Sequence, residues 1–162
     1  TSYNTRGQYA CNNWHVKRAG RITASKFKAV CRTNKESLSL SLIKSICYPV
    51  NASFTSKATD WGLRHENVAV GEYQKQMEEK HEHFSVTDVG IFVSSKWPQL
   101  GASPDRLVRC ECCLGGGLKV KCPYLLHTKG TKDIKEYARS KNSCIELRHD
   151  NTINLKKDHT YY

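Results

Sequence analysis

The chain contains no run of about eighteen apolar residues, the minimum length for a membrane-spanning helix. Its N-terminus also lacks the basic and then apolar segments that make up a secretory signal peptide. No internal repeat and no low-complexity segment interrupts the sequence. We therefore expect an intracellular protein, in the cytoplasm or the nucleus, that is neither secreted nor inserted in a membrane.

Acidic residues are also scarce. The chain has 15 Asp and Glu against 26 Lys and Arg, which gives a formal net charge of +11. Such an excess of positive charge favours a polyanionic partner. Because no amphipathic basic helix stands out, nucleic acid is a better candidate than an anionic lipid surface. The alternative is a basic protein whose charges are simply solvated.

The length and composition limit the number of domains. With 162 residues, of which 38% are hydrophobic, the chain can form one domain with one core. We predict a single domain over residues 1–162. An initiator methionine is missing and the sequence stops abruptly at Tyr161-Tyr162, so we expect a fragment that is truncated at its C-terminal end.

The eight cysteines do not have the spacing of a disulfide framework in a small secreted protein. Reduced thiols in an intracellular compartment fit this pattern better. Four of them are close in sequence, namely Cys110, Cys112, Cys113 and Cys122. Four thiolates suit Zn²⁺, although C-x-C-C is not a standard zinc-binding spacing. The alternative is that these four cysteines are buried and chemically inert.

The most informative stretch is residues 101–124, GASPDRLVRCECCLGGGLKVKCPY. Ser103-Pro104-Asp105 places a carboxylate at a chain reversal, because proline fixes its own φ and favours extended geometry in the residue before it. Alternating apolar residues predict strands over Leu107–Cys113 and Leu118–Cys122. Gly115–Gly117 is the predicted turn between them.

Side chains two residues apart in a strand lie on the same face of the sheet. In the second predicted strand, Lys119 and Lys121 therefore point the same way, whereas Val120 points into the core. Because Asp105 precedes the neighbouring strand, one carboxylate and two ammonium groups can meet at one place.

Three further stretches have a helical pattern. Trp14 to Ser25 leads into a helix that Thr23 or Ser25 can cap. Free N–H groups at a helix N-terminus, with arginines nearby, form a phosphate site, whereas the alternative is an ordinary cap with solvated arginines. A second helix is predicted over Ser37–Cys47 and a third from about Lys57 to His81. The apolar residues of the second helix that are predicted to lie in the core are Leu38, Leu40, Leu42 and Ile43.

These stretches resemble the lambda exonuclease and YqaJ-type viral recombinase family within the PD-(D/E)xK nuclease superfamily. The matching motifs, in the family's order, are W-x-x-x-R-x-G-x-I-T-A-S at residues 14–25, W-G-x-x-x-E at 61–66, S-P-D at 103–105 and V-K-C-P-Y at 120–124. The resemblance implies an α/β fold with a central mixed sheet flanked by helices, of the restriction-endonuclease type. It also implies digestion of DNA from a 5′ end, in recombination or mobile-element processing, with Mg²⁺ or Mn²⁺ as cofactor.

The resemblance also assigns roles to single residues. The implied metal ligands are Asp105, Glu66 and the carbonyl oxygen of Val120. Lys121 is implied to act on the attacking water or on the phosphate. The implied ligands of the terminal 5′ phosphate are Arg18, Ser25 and Ser103.

The chain departs from the family at one position, because Lys119 stands where the family has an acidic metal ligand. Two unit charges about 4 Å apart interact by about 4 kcal/mol at an effective dielectric constant of about 20. Replacing an attraction by a repulsion is therefore expected to weaken metal binding by about a thousandfold or more. Glu111, on the partner strand with the same parity as Asp105, is the candidate replacement ligand.

Two functions from different classes follow. The first is a metal-dependent DNA exonuclease whose activity is weakened or abolished by Lys119. The second is an inactive module on the same fold that binds DNA ends or recruits a partner. By analogy with the family, a homo-oligomer that encircles duplex DNA and a single-strand annealing partner are also expected. A zinc-stabilised interaction domain without a DNA role is a third reading, but it leaves the net charge of +11 unexplained.

Overall fold

The structure, a computed structural model, describes residues 3–49, 56–128, 134–141 and 143–157, without the side chains of Tyr9 and Thr128. After a short 3-10 helix at Gln8–Ala10, the α-helices in these ranges are α1 Asn12–Arg18, α2 Ala24–Arg32, α3 Leu40–Cys47, α4 Lys57–Glu78, α5 Tyr124–Thr128 and α6 Ile134–Arg139. The strands are β1 Ser85–Asp88, β2 Phe92–Val93, β3 Gly101–Ala102, β4 Arg106–Cys110, β5 Leu114–Leu118, β6 Ile145–Leu147 and β7 Ile153–Leu155. The predicted α/β class is confirmed.

The strands of the described ranges pair in antiparallel fashion. They form one sheet of order β1-β4-β5 and two pairs, β2-β3 and β6-β7. Within these ranges, the parallel pairing is limited to one isolated bridge, between Ile22 and Leu100. Strands joined by short turns, as β4 and β5 are, can pair only in the antiparallel sense, which explains the pattern.

The hairpin between β4 and β5 differs from its prediction. The turn is formed by residues 111–113, and Gly115–Gly117 lie within β5 opposite Arg109, Val108 and Leu107. A side chain on Gly117 would lie 3.3 Å from Pro104, so glycine permits a close approach here and does not form the turn. As a consequence, residues 119–122 lie beyond the end of β5. The prediction of a strand over Leu118–Cys122 is wrong.

The long helices begin close to their predicted starts. Thr23 is the N-cap residue of α2, and the side chain of Ser56 accepts the backbone N–H of Thr59 at 3.1 Å at the start of α4. The prediction that the apolar residues of α3 and its approach form core is wrong for Leu38, Leu40 and Ile43, which are exposed by 57, 64 and 40%. No large part of the described chain covers this face.

The buried core lies around the segment from Val89 to Val93. Ile91 has no exposed surface, and its backbone N–H donates to the side chain of buried Thr5 at 2.9 Å. The other buried apolar side chains are Trp14, Val70, Val89, Val93, Cys110, Tyr137, Ala138 and Cys144. No helix in the described ranges is long and apolar enough to cross a membrane. Tyr161 and Tyr162 lie outside these ranges.

Gly90 is expected to tolerate no side chain. A Cβ atom at this position would overlap the carbonyl oxygen of Tyr3 and the hydroxyl of Thr5, and would lie 2.7 Å from the Thr5 backbone nitrogen. Because backbone atoms must shift to make room, Gly90→Ala should lower the free energy of unfolding by about 3 kcal/mol. Chemical denaturation measures the change.

The matched control is Gly71→Ala in α4, where nothing lies within 4 Å of the added Cβ. Alanine should stabilise this helix by up to about 1 kcal/mol. Equal effects of the two substitutions would contradict the packing described for Gly90.

Candidate active site

Asp105 is the most buried charged group of the candidate site, with 4% of its surface exposed. It precedes β4 and holds the chain that leaves β5: its backbone N–H donates to the Leu118 carbonyl at 2.9 Å. Its Oδ2 atom accepts the backbone N–H of Val120 at 2.7 Å, and its Oδ1 atom accepts the ammonium of Lys119. Burying a carboxylate is costly unless it is paired and hydrogen-bonded, and these two contacts offset that cost.

Helix α4 brings the second carboxylate to this place. Glu66 lines a cavity of about 330 Å³ together with Lys119, Val120, Lys121 and Cys122. Its side chain is 29% exposed. The structure thus brings Glu66, Lys119 and Lys121 to the lining of one cavity, and Asp105 is joined to this lining through its contacts with Lys119 and Val120.

Arg106 links the Glu66 carboxylate to the backbone carbonyl of Asp105 and was not predicted from the sequence. Its side chain is 17% exposed and lies 3.4 Å from Glu66 Oε1, and it donates to the Asp105 backbone carbonyl at 2.7 Å. It also donates to Asn67 at 2.6 Å and forms an ion pair with Asp88 at 3.1 Å. An arginine after Ser-Pro-Asp carries no recognisable signal, because only the tertiary structure places α4 and β1 beside it.

These contacts decide whether a divalent cation fits. Mg²⁺ and Mn²⁺ prefer anionic oxygen ligands, with carboxylates free to coordinate them. Here Asp105 and Glu66 are accompanied by three cations, Lys119, Lys121 and Arg106, and both oxygens of Asp105 already accept hydrogen bonds. The donor set of this arrangement therefore does not fit a divalent cation.

Glu111 cannot replace the missing acid, so that prediction is wrong. It lies in the turn after β4, whereas Asp105 precedes β4. Six residue steps separate them, which is roughly 20 Å at about 3.3 Å per residue of strand. The Glu111 carboxylate is instead 3.1 Å from the His83 ring, and its side chain is 69% exposed.

Burial and neighbouring charges change the proton affinities inside the cavity. The pKa of Lys121 is lowered, first by burial and then by the Lys119 charge, although Asp105 and Glu66 oppose the change. The pKa of Cys122 is raised by burial and by the same two carboxylates. Lys121 therefore releases its proton more readily than an exposed lysine does, which suits a role in proton transfer.

The three proposed phosphate ligands are linked through two further residues. The Trp14 indole N–H donates to Ser103 Oγ at 3.1 Å, and the Arg18 guanidinium lies 4.2 Å from the centre of the Trp14 ring. Arg18 also donates to Thr23 Oγ1 at 3.3 Å, and Thr23 Oγ1 lies 3.4 Å from Ser25 Oγ. Partial burial lowers the pKa of Arg18 from its usual value.

Trp14 and Thr23 are thus positioning residues that the prediction missed. Both are buried, with 7% of their surfaces exposed. Their motif positions were visible in the sequence, but only the folded chain shows that they orient Arg18 and Ser103. Because Ser103 lies two residues before Asp105, this network is also tied directly to the cavity.

The prediction that Cys122 belongs to the cysteine cluster is wrong. Cys110, Cys112 and Cys113 lie together with His81, whereas Cys122 lines the cavity with Glu66. The reason is the position of the turn: β5 carries the chain back along β4, so Cys122 lies near the opposite end of the hairpin.

The pKa of Lys121 should rise when Lys119 loses its charge. In Lys119→Gln, the repulsive charge that lowers the Lys121 pKa disappears, and this change favours protonated Lys121. An NMR titration of isotopically methylated lysines measures the pKa. Lys75→Gln is the control, since Lys75 is exposed and pairs with Glu72 on α4. A lower or unchanged Lys121 pKa in Lys119→Gln would contradict the site described above.

Comparison with solved structures shows a similar fold. LHK-Exo, in a crystal structure with dAMP, matches with a TM-score of 0.51 and 24% identity, covering 77% of this chain and 62% of that one. The crystal structure of LHK-Exo as an alkaline exonuclease from Laribacter hongkongensis matches with a TM-score of 0.46 and 23% identity, covering 78% of this chain and 62% of that one. The present chain thus corresponds to 62% of the length of that exonuclease.

No curated protein sequence matches the chain. The model of the YqaJ-like viral recombinase domain, however, matches residues 13–146, which is most of the 162 residues and includes the whole candidate site. The chain belongs to the family of YqaJ-like viral recombinase domains.

Proposed function

We propose that this chain binds the ends of duplex DNA at a nuclease site in which the Lys119 ammonium takes the place of the metal ion. The observation that carries the proposal is the ion pair between Lys119 and buried Asp105. The same carboxylate accepts the Val120 N–H at 2.7 Å, so it has no oxygen free of a hydrogen-bonded partner.

The ion pair opposes hydrolysis that depends on a divalent metal. A cation that binds Asp105 must displace Lys119 and then remain close to its positive charge. At about 4 Å and an effective dielectric constant of about 20, each pair of unit charges contributes about 4 kcal/mol. The expected result is little or no metal-dependent cutting by the chain in this form.

The same cations favour a DNA phosphate as the ligand. Lys119 and Lys121 face one cavity, and the Arg18 network is tied to it through Ser103. Arg18 is held in place by the Trp14 ring and Thr23, which reduces the entropy lost when a phosphate binds. The net charge of +11 adds a long-range attraction to DNA.

One observation favours an active nuclease as the second candidate. The Lys119 side chain is 52% exposed, so it can turn into solvent and release Asp105. Asp105, Glu66 and Lys121 would then surround the cavity in the roles that the resemblance implies. Mg²⁺ or Mn²⁺ would supply an activated water and charge stabilisation in such a state.

Restoring an acid at position 119 tests the two candidates. With 5′-phosphorylated linear duplex DNA and Mg²⁺, the native chain should bind without releasing nucleotides. Lys119→Glu should gain metal-dependent release by at least about a hundredfold, because an attraction for the metal replaces a repulsion. Nucleotide release over time is the measurement.

Two controls make the result specific. Lys96→Glu makes the same charge change at an exposed turn and should not gain activity. Asp105→Ala added to Lys119→Glu should remove the gain. Cutting by the native chain that Asp105→Ala abolishes would favour the active nuclease. Failure to bind DNA ends at all would overturn the proposal.

Arg18 should make binding depend on the 5′ phosphate. Removing this phosphate from the DNA should weaken binding by the native chain about tenfold, the effect of one charge-assisted hydrogen bond. For Arg18→Ala the two DNAs should bind equally, as fluorescence anisotropy can measure. Arg64→Ala, which removes an exposed arginine on α4, is the matched control and should keep the preference. If Arg18→Ala and Arg64→Ala prefer 5′-phosphorylated DNA to the same degree, Arg18 does not bind the phosphate.

A further inference from the structure

We propose that His81, Cys110, Cys112 and Cys113 bind a structural zinc ion. The ligand atoms of these four residues all lie within 4.8 Å of one another. They occupy the turn end of the β4–β5 hairpin, whereas Asp105 lies at the other end of β4. The zinc site is therefore separate from the candidate active site.

The distances match those of a tetrahedral zinc ion. With Zn–S bonds of about 2.3 Å and Zn–N bonds of about 2.05 Å, tetrahedral geometry places sulfur about 3.6 Å from nitrogen and about 3.8 Å from sulfur. The His81 Nδ1 atom lies 3.2 Å from Cys112 Sγ, 3.6 Å from Cys110 Sγ and 3.7 Å from Cys113 Sγ. The Sγ atoms of Cys110 and Cys112 are 3.5 Å apart.

The backbone explains how the four ligands meet. Cys110 ends β4, and the turn at residues 111–113 carries Cys112 and Cys113 back towards it. His81 comes from the segment after α4, which the hydrogen bond from the Glu111 N–H to the Glu82 carbonyl, 3.0 Å long, joins to this turn. The β4–β5 turn and the segment after α4 thus supply all four proposed zinc ligands.

The donor set favours a structural role over a catalytic one. Three thiolates and one imidazole fill all four positions of zinc and leave none for a water molecule. Binding releases up to three thiol protons to solvent and leaves a complex with a formal charge of −1, because the imidazole binds in its neutral form.

A bound zinc ion would stabilise the hairpin, which buries little apolar surface of its own. β5 contributes three glycines, and its Leu114 side chain is 79% exposed, so the strand buries little apolar surface. Zinc would fasten the hairpin to the end of α4. Asp105 directly precedes this hairpin and Glu66 lies on α4. The ion would therefore help to hold the two carboxylates at a fixed position relative to each other.

Metal analysis of the whole chain tests the proposal. The reduced protein is loaded with Zn²⁺, freed of excess metal by gel filtration, and measured by elemental analysis. We expect one zinc per native chain, and a loss of most of it in His81→Ala and Cys112→Ser. Neither residue is buried, so both variants should keep the fold, which far-ultraviolet circular dichroism checks.

The controls separate this site from its alternatives. His83→Ala and Cys122→Ser should keep the zinc, because neither residue belongs to the cluster. Asp105→Ala should also keep it, since the candidate active site is not the zinc site. Co²⁺ in place of zinc should give the thiolate charge-transfer and intense visible bands of a tetrahedral sulfur-rich site, and His81→Ala should lose them.

Three results would overturn the proposal. The first is a native chain without zinc or cobalt bands after reduction and loading, which would leave the cysteines as ordinary thiols. The second is zinc that remains in both His81→Ala and Cys112→Ser. The third is zinc that depends on Asp105 or Cys122. The first two results leave DNA binding and cutting unaffected, so the zinc proposal can fail while the proposed function holds, and the reverse is also true.

Discussion

The buried carboxylate of Asp105 is the constraint on which the rest of the site depends. It lies at the start of β4 and accepts hydrogen bonds from the chain that leaves β5, at Val120 N–H and at the Lys119 side chain. These contacts fix the direction of the chain beyond the strand and so place Lys121 and Cys122 in the cavity with Glu66. Because a buried charge is costly without partners, the arrangement is strongly specified.

Neighbouring side chains connect Asp105 to several other elements of the fold. Arg106 lies between Asp105, Glu66 and Asp88, so it joins the hairpin to α4 and β1. Trp14 donates to Ser103 and supports Arg18, which connects the N-terminal helices to the same place. The proposed zinc site would fasten the other end of the hairpin. Both the proposed DNA site and the proposed zinc site therefore depend on the position of one glycine-rich hairpin.

Several elements of the site were predictable because they follow local rules. Proline before Asp105 indicates a chain reversal, and the helix that carries Glu66 has a recognisable cap and motif. The prediction failed where glycine was read as a turn residue. Gly117 lies within a strand, where a Cβ atom would lie 3.3 Å from Pro104, and that neighbour is invisible in the local pattern. The shifted turn then moved Cys122 and Glu111 to different ends of the hairpin.

The sequence by itself determined the family and the α/β class, and it named Glu66, Lys119 and Lys121, which line one cavity, because these follow from ordered motifs. It also showed that Lys119 stands where an acid is expected. Only the tertiary structure decided that Lys119 pairs with Asp105, that Arg106 pairs with Glu66 and Asp88, and that His81 joins the three cysteines. Each of these contacts joins residues that are distant in sequence or lie beyond a strand end, where neither periodicity nor motif spacing predicts what a side chain will meet.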